Sequence, residues 1–239
     1  MYHYRTPVSN GNLSLSADEV LERKHQDVYG LPIVYDACWD NGVEALGFAS
    51  GGKFEYHLAV TKASISSPSA YMNDGFQVIG RLRFSPAPGL KFGFSAERGS
   101  YLSESATGLP QGVSLRSVNQ KALALDFSFS AGHTEIQSEL VHNWWENPNL
   151  DKDLKVTCGY VELKQTLFAG FYAALRYDRL FYSRLTDSSG ARFDWGYDVR
   201  RVESGAGYHI TRGAMIKAVC STILWRMRKT WTCCVLSWF

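Results

Sequence analysis

The 239-residue sequence predicts an all-β fold, an antiparallel up-and-down transmembrane β-barrel of about 12 strands. Three observations predict it. From Gly42 onward apolar and polar residues alternate with a period of two. The connections between the alternating runs change between very short and rather long. Most of the runs reach the about 9 to 11 residues that cross a bilayer at a tilt, where ordinary strands average about 5 to 6. Residues 1–41 form an irregular N-terminal segment and residues 42–239 the barrel domain.

In the N-terminal segment, Ser16-Ala17-Asp18-Glu19 has the form of a capping box ahead of Val20-Leu21-Glu22-Arg23-Lys24, which predicts one short helix. Val28 to Tyr35 is a candidate strand weakened by Gly30 and Pro32. Farther on, Phe54, Tyr56, Leu58 and Val60 share a face opposite Glu55 and His57. Phe76, Val78, Leu82 and Phe84 then oppose Gln77, Arg81 and Arg83; Leu90, Phe92, Phe94 and Ala96 oppose Lys91, Ser95 and Glu97. The pattern continues with Leu123 to Phe129 against Asp126 and Ser128, and with Ile136 and Leu140 against Glu135, Gln137 and Glu139. Val161 and Leu163 face away from Glu162 and Lys164; Leu175 and Tyr177 from Arg176 and Asp178; Val202 and Tyr208 from Arg201 and Glu203; Ile216 from Lys217. A last strand-like run closes at Phe239.

Short turns are expected at Pro86-Ala87-Pro88-Gly89, Ala131-Gly132, Phe168-Ala169-Gly170 and Thr211-Arg212-Gly213, and long polar loops at about 63–74, 99–118, 145–153 and 182–196. Sorting of short turns to one side and long loops to the other is what a membrane barrel shows. Trp39, Tyr71, Tyr101, Trp144, Trp145, Phe181, Tyr182 and Trp195 fall near strand ends, where an interfacial aromatic girdle is expected.

Composition bounds the function. The chain is 45% hydrophobic and 14% aromatic with 21 Gly, a weighting that favours strands. A formal charge of +2, with no basic block, excludes a nucleic-acid footprint. No run of 18 apolar residues exists, and mean hydropathy is −0.19, a test that an alternating barrel passes silently. After Met1 there is neither an apolar core nor a small-residue cleavage site, so for an exported chain a mature or truncated form, or a start codon placed too late, is expected. The five cysteines, Cys38, Cys158, Cys220, Cys233 and Cys234, have no ligand spacing, which predicts isolated thiols and no metal. Glu135 and Glu139 lie about 13 to 14 Å apart on one strand face, too far for a glycosidase pair. No G-x-S-x-G and no phosphate loop is present. Neither a catalytic residue nor a cofactor is expected.

The polar face carries the candidate function. Glu55, Arg81, Arg83, Lys91, Glu97, Glu135, Glu139, Glu162, Lys164, Arg176, Asp178, Arg201, Glu203 and Lys217 recur at mid-strand and must be hydrated or paired, because an isolated buried charge costs several kcal/mol or more. In a barrel this face is the lumen, so all fourteen are expected to line a pore, with Phe54, Phe92 and Phe94 toward lipid. The alternative is that these charges pair across strands and fill a narrow interior.

Segments such as Gly80-Arg81-Leu82-Arg83-Phe84-Ser85-Pro86-Ala87-Pro88-Gly89-Leu90-Lys91-Phe92-Gly93, residues Gly170 to Leu180, and Tyr197 to Ala218 resemble bacterial porins, in particular the phosphate-selective group and its relatives. The resemblance covers roughly residues 42–220. It implies a passive channel for small hydrophilic solutes or ions in the outer membrane of a Gram-negative bacterium, in contact with outer-membrane lipid and often a homotrimer. Members of that group have about 16 strands, against about 11 or 12 here, so a missing N-terminal portion is also expected. Phe239, preceded at alternate positions by Val235, Cys233 and Trp231, resembles the C-terminal aromatic signal of barrel assembly.

Two other folds and functions are compatible with parts of the sequence. A soluble or periplasmic β-sandwich binding glycans through exposed Trp and Tyr accounts for His142-Asn143-Trp144-Trp145-Glu146, but not for strand length or loop sorting. An outer-membrane barrel enzyme would use His142, Asn143 and a nearby Ser at the rim, without any fixed spacing to support it.

Overall fold

The computed structural model describes residues 41–62, 75–102, 109–148, 152–186, 192–194, 198–211, 213–225 and 230–238. The expected helix near Ser16, the candidate strand Val28–Tyr35, and Trp39, Tyr71, Trp195 and Phe239 lie outside them.

The strands are β1 (Gly42–Ala49), β2 (Phe54–Thr61), β3 (Gln77–Ala87), β4 (Leu90–Ser100), β5 (Asn119–Ala131), β6 (Thr134–Trp145), β7 (Leu154–Phe168), β8 (Phe171–Tyr182), β9 (Arg184–Thr186), β10 (Arg192–Asp194), β11 (Val199–Thr211), β12 (Ala214–Trp225) and β13 (Thr230–Trp238). Eleven of them form one antiparallel sheet in sequence order, and β9 and β10 form a separate hairpin inside the connection from β8 to β11. That hairpin is not evident from the sequence. Among the described residues no pairing joins β13 to β1, so the sheet is a wall with two ends. A single meandering sheet of this length is the predicted up-and-down barrel architecture, not two stacked layers, and the sandwich alternative is overturned.

The expected short turns at residues 88–89, 132–133 and 169–170 occur, and a further one at 50–53 joins β1 to β2; the expected turn Thr211-Arg212-Gly213 lies partly outside the described residues, between the paired ends Thr211 and Ala214 of β11 and β12. Gly89 shows why the chain turns where it does. Its φ of 78° is left-handed, and a Cβ there would lie 2.0 Å from the Ser130 carbonyl oxygen. The Ser130 amide donates to the Gly89 carbonyl at 2.7 Å, so the turn of one hairpin seats directly on the next strand. The long connections, 62–76, 101–118, 146–153 and 183–198, all leave from the opposite end of the sheet.

Register determines the two faces. Phe54 pairs with Phe84, Phe84 with Phe92, Phe92 with Phe127, and the row continues through Ser138, Val161 and Tyr177 to Val202. This face is apolar and exposed: Phe94 is 46%, Leu125 55% and Val161 55% accessible. So broad an apolar surface far exceeds the few hundred Å² tolerated by a soluble monomer and is instead suited to hydrocarbon. Its short-turn end carries stacked rings, Phe54 on Phe84 at 4.7 Å and Phe168 on Phe171 at 4.8 Å. Of the aromatic girdle expected near strand ends, five residues are described and two of them face outward; Tyr101 is buried in the inner cluster. Trp144 and Phe181 face outward, but Trp145 and Tyr182 have the opposite parity and are buried on the inner face. Strand alternation decides this, since adjacent residues cannot both face lipid.

The inner face divides along its length. At the long-loop end Val141, Trp145, Val156, Cys158 and Leu180 pack with Tyr101 and Val118 from the β4–β5 connection and with Leu185 of β9. The Tyr101 hydroxyl donates to the Glu146 carbonyl at 2.8 Å, tying that connection across the mouth. Toward the short turns the inner face is charged.

Candidate functional site

All fourteen residues expected to line a pore fall on this inner face. Glu55, Arg83, Glu139, Asp178 and Arg201 belong to one register row, with Gly93, Asp126 and Tyr160 between them. Lys91, Glu162, Arg176 and Glu203 belong to the next row toward the short turns; Glu135 and Lys164 pair below it, and Lys217 faces Gly207. Arg81 and Glu97 continue the face toward the long loops. Strand parity, legible in the sequence, suffices to place every one of them together.

Their side chains are mostly paired across strands. The most enclosed group is a ladder of alternating sign over β7, β8 and β11. Arg176 reaches Glu162 at 3.2 Å and Asp178 at 2.9 Å; Arg201 reaches Asp178 at 3.0 Å and Glu203 at 3.3 Å. Arg176 also lies over the Tyr160 ring, 3.8 Å from its centroid. Arg176, Asp178, Arg201 and Glu203 are all buried, a placement that pairing alone makes tolerable, because a lone charge here would cost several kcal/mol.

A second network spans β1 to β5. Glu55 accepts from Arg83 at 2.8 Å and contacts His57, whose other ring nitrogen meets Glu44 at 2.8 Å. Arg81 holds Asp126 at 2.7 Å and donates to Ser95. The Gln77 amide donates to Glu97. A third pair, Lys164 with Glu135 at 3.3 Å, borders a recess of about 510 Å³ into which Glu162, Lys164, Arg176, Glu203 and Lys217 project with Gln137 and His209. Lys91 and Lys217 make no ion pair with any described residue.

Two charged members of the face were missing from the sequence-based set. Asp126 has the right parity, and that signal suffices to include it. Glu44 is hidden because its strand β1 also turns Leu46 and Phe48 inward, which spoils the alternation. With both included, the described inner face holds nine acids against seven bases, where the fourteen alone balance. His142 and Asn143, proposed rim partners of a barrel enzyme, point to opposite faces and cannot share a site.

At the long-loop mouth, Glu146 is held below the usual carboxylate range. Burial raises its pKa and is the largest single influence, but the hydrogen bond and charge of Lys121 and two hydrogen bonds from Asn119 together outweigh it. Tyr101 beside it is pushed up to about 12 by burial and by the charges of Glu146 and Asp153. Cys220 is disulfide-bonded, so the expectation of isolated thiols holds for the buried Cys158 and is corrected for Cys220. Among the described residues no cluster could hold a metal.

No protein-family model matches the sequence, and no curated protein matches it. Solved structures do match in fold. A porin superposes with a TM-score of 0.56 at 13% identity, over 84% of this chain and 61% of its own. The anion-selective porin from Comamonas acidovorans gives 0.55 at 8% identity, over 82% and 55%. OmpT, an outer membrane protein of Vibrio cholerae, gives 0.53 at 11% identity, over 77% and 53%. The chain therefore spans little more than half the length of these barrels. At such identities the likeness is one of fold, and it supports the porin-like β-barrel implied by the hairpin segments.

Proposed function

We propose that the chain is an outer-membrane channel, not an enzyme, and that small hydrophilic solutes or ions diffuse passively along its charged inner face. The observation that carries this reading is the inversion of the two faces: apolar rings and aliphatic side chains outward and exposed, charges inward. Lipid on one side and water on the other satisfies both, and the porins of like fold are consistent with it. Placement in a bacterial outer membrane, contact with its lipid, and assembly as a homotrimer belong to the same proposal.

The finer resemblance, to phosphate-selective porins, is weakened by the charge count. Nine acids against seven bases favour cations over phosphate in a hydrated path. The apolar cluster of Tyr101, Val118, Trp145 and Leu185 narrows the same path near its long-loop mouth. Planar-bilayer recording on the purified full chain tests the function. Stepwise currents in potassium chloride are expected, with a reversal potential under a salt gradient on the cation side. A folded barrel that inserts and passes no current would sink the channel reading.

A further inference from the structure

The outward face of the eleven-stranded sheet has a charge pattern of its own. Every outward ionised side chain on its described strands is a base: Arg98, Lys121, Lys155, Arg179 and Arg200. No Asp or Glu faces outward there. Each of the five stands within three residues of its strand's long-loop end, so together they trace the rim of the wall from β4 to β11. Lys121 is engaged by Glu146 at 2.6 Å, while Arg98, Lys155, Arg179 and Arg200 are exposed and have no ion pair with any described residue. Arg179 and Arg200 are direct cross-strand neighbours, a like-charge arrangement that is unfavourable unless an anion lies between them.

Below Arg179 the apolar face is indented. Gly159, its register partner on β7, and Ser138 on β6 present little or no side chain between Leu125, Leu140 and Val161, leaving an outward groove of about 520 Å³ with Arg179 among its lining residues. A phosphate on the cations and a hydrocarbon chain in the groove is the arrangement of an amphiphile, and free phosphate would leave the groove unused.

We propose that this rim binds a lipid with an anionic, phosphate-bearing headgroup, its phosphate held by the cross-strand pair Arg179 and Arg200, Lys155 farther along β7 adding to the positive rim, and one acyl chain lying over Gly159 and Ser138. The proposal rests on the membrane-barrel reading but not on channel activity. Each cation removed is expected to lower preference for the anionic lipid about five-fold, the usual effect of a basic residue at a charged membrane surface.

Native mass spectrometry of the detergent-purified full chain, offered equal amounts of phosphatidylglycerol and phosphatidylcholine with matched acyl chains, tests it. Phosphatidylglycerol should be retained in preference. The triple variant K155Q/R179Q/R200Q should lose that preference, and Ser138→Phe should reduce retention of both lipids by filling the groove. These changes lie on the outer surface, and an unchanged heat-dependent gel mobility shows that the variants still form the barrel. Equal retention of the two lipids by the unmodified chain, or a preference that survives in the triple variant, overturns the proposal. Displacement of phosphatidylglycerol by inorganic phosphate overturns it too, since that would reveal a simple anion site. A chain that stays soluble without detergent would instead refute the barrel itself, a result distinct from these.

Discussion

Arg81 on β3 and Asp126 on β5 grip each other across the intervening strand, at 2.7 and 3.0 Å through two guanidinium nitrogens. β4 lies between them, and at the crossing point it carries Gly93 on the inner face. A Cβ there would lie 2.1 Å from the Asp126 carboxylate, so the missing side chain is what lets the bridge form. Gly93→Val should therefore break the pair while leaving both charged residues in place. With both partners partly hydrated, a loss of about 1 to 3 kcal/mol is expected. Urea midpoints in lipid vesicles measure it, with Gly80→Val, whose Cβ would meet nothing within 4 Å, as the control expected to cost far less.

The outward face predicts a depth-dependent response to charge. Phe94→Arg places a cation on the exposed apolar face well away from either strand end of β4 and should cost about 2 to 4 kcal/mol, whereas Phe181→Arg at the long-loop rim should cost about 0 to 1. Folding equilibria into vesicles distinguish the two. Equal costs would show that lipid does not lie where the exposed apolar band implies.

The buried ladder predicts strong coupling. Arg201→Met strands the buried Glu203 and leaves the buried Asp178 with Arg176 alone, and should destabilise by about 3 kcal/mol or more. The double variant R201M/E203L removes the stranded charge as well and should recover a large part of that loss. A double-mutant cycle on unfolding free energies reads the coupling, and simple additivity of the two changes would contradict the paired arrangement.

Glu146 links the mouth to pH. Its folded pKa lies below the ordinary value of 4.5, so its contribution is present above that value and is lost as pH falls through the depressed one. Contacts of Glu146 with Asn119 and Lys121 should loosen only in that acidic window. Hydrogen exchange at the Asn119 amide, which donates to the carboxylate at 2.9 Å, should quicken there, and Glu146→Gln should remove the pH dependence.

Selectivity should follow the inner-face count. Glu44→Gln and Glu135→Gln each remove an acid and should move the reversal potential toward neutrality, while Lys217→Gln should move it the other way. A shift of the same sign for all three would argue that these side chains do not meet the permeating ions.

Strand parity makes much of this protein legible in its sequence. Period-two alternation assigns Arg81, Glu162, Arg176 and Glu203 to one face and Phe92, Phe94 and Val161 to the other, because a pleated strand offers its side chains only two directions. Turn chemistry at Gly89 and Gly132 sets the hairpins, and hence the in-order antiparallel sheet. Where a local rule was absent or broken, sequence reasoning stopped. β1 does not stand out as a strand of its own because Leu46 and Phe48 share a face with Glu44, and the β9–β10 hairpin reads as loop because three-residue strands are too short to show a period.

Only the tertiary structure decided what the faces do to one another. Arg81 finds Asp126 two strands away because Gly93 opens the crossing. Trp145 turns inward beneath Tyr101. The five outward bases gather along one rim. Alternation is a property of a single strand and is written in consecutive residues. Pairing, enclosure and the gathering of charge depend on register and curvature between strands far apart in the chain, and those are settled only when the whole sheet closes its hydrogen bonds.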